Sequence, residues 1–202
     1  MAVTRPARHL TLADALVPAV EGRAAGLLRD VALVAGGAAL TAIAAQVAFR
    51  MPWTEVPYTA QTGAVLLVGT ALGWRRGLLS MVLYLLVGVA GAPVFSAGNH
   101  GLGQLLGVTG GYLVGFVVAA ALVGRLAERG WDRSPLRAAG LMAIGNLAIY
   151  AIGVPVLAAA SGLALTDAAW RGAGVFLPWD AFKVLLAAGL LPLAWRLAGR
   201  DA

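Results

Sequence analysis

The sequence predicts an all-α integral membrane protein with six transmembrane helices, and three observations lead to this fold class. Hydrophobic residues make up 60% of the chain and charged residues only 12%, against roughly 45–50% and about 25% in soluble domains. The apolar residues are gathered into runs long enough to cross the hydrocarbon core of a bilayer as helices. Arginines lie mainly between alternate runs, as in membrane proteins whose cytoplasmic loops are positively charged.

The composition also limits the classes of function. A net charge of +6 would suggest a nucleic-acid-binding protein if the chain were soluble. Because the arginines flank apolar runs, they indicate membrane topology instead, and we predict no nucleic-acid partner. The absence of cysteine excludes a disulfide framework and Cys-ligated metal centres. A chain of 202 residues holds one such membrane domain and leaves no room for a separate ATPase domain.

Residues 1–29 are predicted to form a cytoplasmic amphipathic segment, followed by a single six-helix membrane domain over residues 30–202. Arginines are spread through the first segment, and it lacks the compact apolar core and cleavage pattern of a signal peptide. Thr11-Leu12-Ala13-Asp14 resembles a capping box, which predicts a short interfacial helix near residues 12–16 that ends before Pro18.

The six predicted spans carry different side-chain signals. They cover about residues 30–49, 58–73, 77–92, 110–126, 136–161 and 174–197. The first span has small residues four apart, including Ala35 and Ala39, which let another helix approach closely in lipid. This face either packs inside the domain or docks a second membrane protein. Asn146 and Tyr150 in the fifth span are expected to hydrogen-bond between helices, with a role in a ligand pocket as the alternative.

The distribution of arginines near the span ends predicts the orientation of the chain. One side carries twelve of them: Arg5, Arg8, Arg23, Arg29, Arg75, Arg76, Arg125, Arg129, Arg133, Arg137, Arg196 and Arg200. Only Arg50 and Arg171 lie on the other side. Since positive loops are retained in the cytoplasm, we predict a multi-pass protein of the cell membrane with both termini inside.

Residues 91–112 form a glycine-rich segment between the third and fourth spans. Eight glycines or prolines deny it a continuous helix, yet its apolar side chains predict that it folds back over an outward-facing pocket. No Gly-Lys-Ser/Thr sequence follows, so the segment is not a Walker phosphate loop. The chain has no cysteine and no second histidine near His100 that could complete a metal site, so no metal site is predicted. Asn99 offers both an amide donor and an acceptor.

Asp180 and Lys183 stand out inside the last apolar run. Lys183 is the only lysine of the chain, and Asp180 precedes it by three residues on the same helical face. Each charge at the centre of a membrane helix costs roughly 2.5–3.5 kcal/mol on insertion scales. Ionisable residues at this depth indicate a ligand or ion site, with a structural ion pair between helices as the alternative.

A series of motifs connects these features to a known family. They are, in order, Val56-Pro57-Tyr58-Thr59-Ala60-Gln61-Thr62, Leu72-Gly73 with Arg76-Gly77, Tyr84-Leu85-Leu86-Val87-Gly88, Gly91-Ala92-Pro93-Val94-Phe95, Gly98-Asn99, Gly107-Val108-Thr109-Gly110-Gly111-Tyr112-Leu113 and Phe176-Leu177-Pro178-Trp179-Asp180-Ala181-Phe182-Lys183. Over roughly residues 30–197 the chain resembles the BioY family, the biotin-specific substrate-binding (S) components of energy-coupling-factor (ECF) transporters. Two positions depart from the family: Val108 replaces a usual proline, and Trp179 replaces a usual glycine.

The resemblance implies that the chain captures biotin from outside and carries it inward, with no covalent chemistry and no cofactor. The family's ligand-contacting Asn, Asp and Lys fall on Asn99, Asp180 and Lys183. The pocket lining is expected to include Phe95, Gln61, Thr109, Tyr112 and Trp179. The ureido group of biotin has two N–H donors and one carbonyl acceptor, which suit a carboxylate and an ammonium. Lys183 either meets that carbonyl or binds the carboxylate tail.

The resemblance also implies partners. These are a transmembrane coupling (T) subunit and a pair of ABC-type ATPases, which we expect to dock on the face of Ala35 and Ala39. Transport without these partners, as a homo-oligomer, is the alternative.

Three other functions remain open at this point. The first is an S component for thiamine or riboflavin. The second is an intramembrane enzyme that uses Asp180 and Lys183 as acid and base, and the third is a purely structural subunit.

Overall fold

The computed structural model describes residues 10–17 and 19–199, which are mainly helical. Its α-helices are α1 (Leu12–Leu16), α2 (Arg23–Gln46), α3 (Gln61–Val89), α4 (Leu102–Leu106), α5 (Gly110–Ala127), α6 (Pro135–Ser161), α7 (Leu165–Gly172) and α8 (Leu177–Leu197). Short 3₁₀-helices cover Ser96–Gly98, Trp131–Arg133 and Gly174–Phe176. Among the predicted features, Arg5, Arg8, Pro18 and Arg200 lie outside the described residues.

Five stretches of the described chain are long and apolar enough to cross a membrane. They are Arg23–Gln46, Gln61–Val89, Gly110–Ala127, Pro135–Ser161 and Leu165–Leu197. The difference from the six predicted spans lies in α3, which covers most of both the second and the third of them. The first predicted span is also displaced, because α2 begins at Arg23 and ends at Gln46.

Helix α3 is broken at Gly73 and folds back on itself. Gly73 has φ 81° and ψ 174°, a backbone conformation that side chains other than glycine rarely adopt. Along a continuous helix, Gln61 and Tyr84 would be about 35 Å apart. Instead, Gln61 Nε2 donates to Tyr84 Oη over 2.8 Å, which shows that the helix folds back. A Cβ atom on Gly77 would lie 2.8 Å from the Cα of Gly69. The two parts, here called the first arm (61–72) and the second arm (74–89), therefore run antiparallel.

Helix α5 packs closely against the first arm of α3. Ala120 and Val123 are fully buried at this contact. A Cβ atom on Gly69 would lie only 2.5 Å from the carbonyl oxygen of Ala120, so glycine is required for the two backbones to approach this closely. Packing of this kind is a main source of helix association in lipid, where the hydrophobic effect does not drive it.

An ion-pair network ties the short helix α1 to the end of the bundle where α3 turns. The bounds of α1 agree with the prediction, and the Asp14 backbone N–H donates to Thr11 Oγ1 at its start. Asp14 pairs with Arg29 at 3.1 Å and with Arg76 at 2.8 Å, and Arg76 also pairs with Asp30 at 2.8 Å. Burial raises the pKa of the Asp14 carboxyl, but hydrogen bonds from Arg76, Thr11 and Arg29 outweigh it and hold the pKa below its usual value.

The connections at the opposite end are built from short elements. Strands β1 (Ala48–Phe49) and β2 (Tyr58–Thr59) form an antiparallel pair that the sequence did not predict. The predicted glycine-rich segment, residues 91–112, has no long helix before α5 begins at Gly110; it includes one 3₁₀ turn and the five-residue helix α4. Phe95 in this segment is 1% exposed and packs edge-on against Tyr84, with ring centroids 5.4 Å apart. This contact fixes the start of the glycine-rich segment against the second arm.

Candidate functional site

A cavity of about 50 Å³ lies at the end of the bundle farthest from the Gly73 turn. It is formed where the first arm, α5, α6 and the start of α8 meet the glycine-rich segment. Six of the predicted site residues line it: Gln61, Phe95, Thr109, Tyr112, Asp180 and Lys183. The sequence therefore predicted residues from four separate parts of the chain that the fold brings together.

The predicted charge pair lies in the wall of this cavity. Lys183 Nζ donates to Asp180 Oδ1 over 2.9 Å and to Thr62 Oγ1 over 2.6 Å. Tyr150 Oη in α6 donates to the second carboxylate oxygen, Oδ2. Asp180 is 6% exposed, and these three hydrogen bonds compensate for the removal of the two charges from water.

The start of α8 explains why these charges are oriented toward the cavity. Pro178 lies in the first turn, where its missing N–H costs no helical hydrogen bond. Asp180 also lies in this turn, where the helix dipole favours a negative charge. Lys183 follows three residues later and therefore stands beside Asp180 on one face. The pair is thus positioned by the helix itself before any ligand binds.

Trp179 does not line the cavity, although the sequence predicted that it would. It points away from Asp180 because neighbouring residues of a helix are about 100° apart around the axis. Its Nε1 donates to the Thr59 carbonyl oxygen over 3.3 Å, and its ring stacks on Phe182 with centroids 5.6 Å apart. The Lys183 ammonium lies 5.6 Å from the Trp179 ring centroid, so the indole contacts the charge from outside the cavity.

Asn99 is likewise absent from the cavity lining. Its Nδ2 donates to the backbone carbonyl oxygen of Ser96 over 2.8 Å. The Phe95 backbone N–H donates to the Asn99 carbonyl oxygen over 3.0 Å and closes the same turn. Asn99 therefore holds together the turn that presents Phe95 and Ser96 to the cavity.

The other predicted lining residues are fixed by hydrogen bonds. Tyr112 Oη donates to the Gly172 carbonyl oxygen over 2.9 Å, and Gln104 Nε2 donates to Thr109 Oγ1 over 2.7 Å. Gln61 is held by Tyr84, whose own hydroxyl donates to the Val94 carbonyl oxygen over 3.0 Å. Rigid side chains of this kind hold a ligand in one orientation.

Sequence reasoning did not place several residues in the site. They are Thr62, Ser96, Gln104, Phe116, Tyr150 and Phe176. For Tyr150 a signal existed, and the predicted hydrogen bond to another helix is confirmed by its contact with Asp180. Asn146, its predicted companion, lines a separate groove between the first arm and α8. Ser96 gave no signal, because only the conformation of the turn directs it inward.

The arrangement is suited to binding a compact ligand. It offers a fixed carboxylate, a fixed ammonium and several hydroxyl groups, surrounded by the rings of Phe95, Tyr112 and Phe176. Charge-assisted hydrogen bonds in such a dry site are roughly twice as strong as neutral ones. A ligand with adjacent N–H donors and a carbonyl acceptor would meet a partner for each.

Comparisons with known proteins place these features in a family. The model of the BioY family matches residues 12–200. "Biotin transporter BioY" of Rhizobium etli is 34% identical over 168 residues, which are 79% of this chain and 89% of that protein. "Biotin transporter BioY" of Thermotoga maritima is 40% identical over 107 residues, 53% of this chain and 62% of that protein.

One solved structure shares the fold. It is a crystal structure of the S-component for biotin from an ECF-type ABC transporter. The match has a TM-score of 0.77 and covers 91% of this chain and 97% of the other, at 21% sequence identity.

Proposed function

Because this membrane protein belongs to the BioY family, we propose that it binds biotin and mediates its uptake as the S component of an ECF-type transporter. The observation that carries the proposal is the buried pair of Asp180 and Lys183 in the wall of the cavity. A purely structural ion pair needs no cavity beside it, whereas a ligand site does.

We assign complementary roles to the two charged residues. Asp180 accepts a hydrogen bond from an N–H of the ureido group, and Lys183 donates to its carbonyl oxygen. Phe95 and Tyr112 contact the apolar ring system, and Asn99 belongs to the site through the turn that it shares with Ser96. A ligand without the ureido group would leave buried charges without partners, which provides selectivity for the vitamin.

The cavity must widen when biotin enters. Its volume of about 50 Å³ is below the roughly 300–1,000 Å³ of most ligand pockets. The glycine-rich segment, residues 91–112, covers the pocket in this proposal, and it contains three glycines with positive φ: Gly91, Gly98 and Gly101. Short elements with few regular backbone hydrogen bonds open at lower cost than the surrounding helices.

We further propose that the domain crosses the cell membrane six times, with both termini in the cytoplasm. The antiparallel arms of α3 supply the second and third spans, and Gly73 forms the cytoplasmic turn between them. The excess of arginine at that end supports this orientation. The cavity then opens on the extracytoplasmic side, and α1 lies along the inner surface.

Energised uptake requires partners in this proposal. The sequence contains no Walker phosphate loop, so the T subunit and the ABC-type ATPases supply the energy of nucleotide hydrolysis. Ala35 and Ala39 are exposed on α2, and Ala35 borders a groove between α2 and the second arm. A partner helix can approach the backbone closely over such small residues.

Ala35→Arg is expected to prevent co-purification with the T subunit and the ATPases while biotin binding by the isolated protein is unchanged. The long charged side chain holds the partner helix away from α2. Leu147→Arg is the matched control, because Leu147 is exposed near the middle of α6 and an arginine there has a similar insertion cost. Retention of the partners by the Ala35 variant would contradict this docking face.

Calorimetric titration of the purified protein with biotin tests the proposed function. We expect saturable binding of biotin, and no displacement by excess unlabelled thiamine or riboflavin in a competition assay. Displacement by either vitamin would assign the chain to another substrate. Recovery of a chemically altered product after incubation with biotin would identify an enzyme instead.

A further inference from the structure

Ser96 is a cavity-lining residue with no assigned role. It is 8% exposed, and its hydroxyl is buried without a hydrogen-bond partner among the described residues. Other polar side chains of the lining, including Gln61, Tyr112 and Tyr150, each have a hydrogen-bond partner. A buried polar group without a partner lowers the stability of the folded protein, so its position requires an explanation.

The turn that contains Ser96 is held in place by other side chains. Gln46 Nε2 donates to the Phe95 carbonyl oxygen over 3.3 Å, and Asn99 Nδ2 donates to the Ser96 carbonyl oxygen over 2.8 Å. Ala97 follows with φ 56°, and it is the only non-glycine residue with positive φ in the described chain. Strained backbone that the surroundings enforce is typical of functional sites. The strained backbone and these two hydrogen bonds together fix the turn that brings Ser96 to the cavity wall.

We propose that Ser96 is a further ligand-binding residue, whose hydroxyl hydrogen-bonds to bound biotin. This inference rests on the proposed function. The ligand supplies the partner that the hydroxyl lacks, so the free energy lost in the unliganded protein is regained on binding. The glycine-rich segment thereby senses the ligand directly, from a part of the chain distant in sequence from Asp180.

The proposal gives Ser96→Ala two effects of opposite direction. Removal of the unpartnered hydroxyl keeps or raises the thermal unfolding temperature without ligand, because the buried polar group is gone. The same change weakens biotin binding by about three- to tenfold, the usual range for one neutral hydrogen bond. A residue with a purely structural role would lower the unfolding temperature as well.

Ser80→Ala is the matched control. Ser80 in the second arm also has a buried hydroxyl without a described partner, but it does not line the cavity. We expect the same effect on the unfolding temperature and no change in affinity. Equal losses of affinity in the two variants would overturn the proposal.

The wild-type titration keeps the hypotheses apart: absence of biotin binding by wild type refutes the proposed function, whereas binding that Ser96→Ala leaves unchanged refutes only this inference.

Discussion

Asp180→Asn is expected to weaken biotin binding by at least about 30-fold, because removal of one partner of a buried, hydrogen-bonded charge pair costs 2–5 kcal/mol or more. The variant loses the charged acceptor for the ureido N–H. It also leaves the Lys183 ammonium buried with no negative charge beside it, because an amide carries no charge. Calorimetry in detergent measures the affinity, and Asp167→Asn is the control, since Asp167 is exposed in α7.

The double variant with Lys183→Met separates ligand binding from stability. The single Asp180 variant should unfold at a lower temperature, because an unpaired buried charge remains. Replacing Lys183 as well removes that charge, so the unfolding temperature should recover while biotin binding does not. An Asp180 variant that binds biotin like wild type would show that the pair is only structural.

Gly73→Ala is expected to destabilise the protein by about 1–3 kcal/mol from its backbone conformation alone. Gly73 has φ 81° and ψ 174°, a combination open mainly to glycine. A Cβ atom there would also lie 2.8 Å from both Glu128 Oε1 and Thr11 Cγ2. Because the two arms of α3 meet at this residue, the strain acts on the packing of both.

Thermal unfolding and the yield of folded protein measure this effect. Gly189→Ala is the control, because Gly189 lies inside α8 and a Cβ atom there would meet nothing within 4 Å. Alanine has the higher helix propensity, so the control should be neutral or slightly stabilising. Equal unfolding temperatures for the Gly73 variant and wild type would contradict the strained turn.

Much of the helical framework could be predicted, because length and hydropathy determine it locally. The predicted bounds of the fourth and fifth spans lie within one residue of α5 and α6. Arg75 and Arg76, between the second and third predicted spans, indicated that the connection there is cytoplasmic. They did not indicate that a single glycine makes the turn, at a place where a Cβ atom would meet Thr11 and Glu128.

Site residues could be predicted from the sequence where a charged residue lies within an apolar run. Asp180 and Lys183 are conspicuous in an apolar run, whereas Ser96 is one small polar residue in a loop whose backbone decides its direction. Trp179 precedes the cavity residue Asp180 by one position, and side chains one position apart point about 100° apart around the helix axis, so Trp179 faces away from the cavity. Such orientations depend on packing between helices that are distant in sequence.

The pairing of Asp180 with Lys183 has an electrical consequence. One negative and one positive charge held 2.9 Å apart carry no net charge as a unit. Moving one elementary charge across the membrane potential involves about 2.3 kcal/mol per 100 mV, but a neutral pair is not driven in either direction. Any voltage dependence of uptake should therefore originate in the carboxylate tail of biotin and not in Asp180 and Lys183, which bind its ureido group.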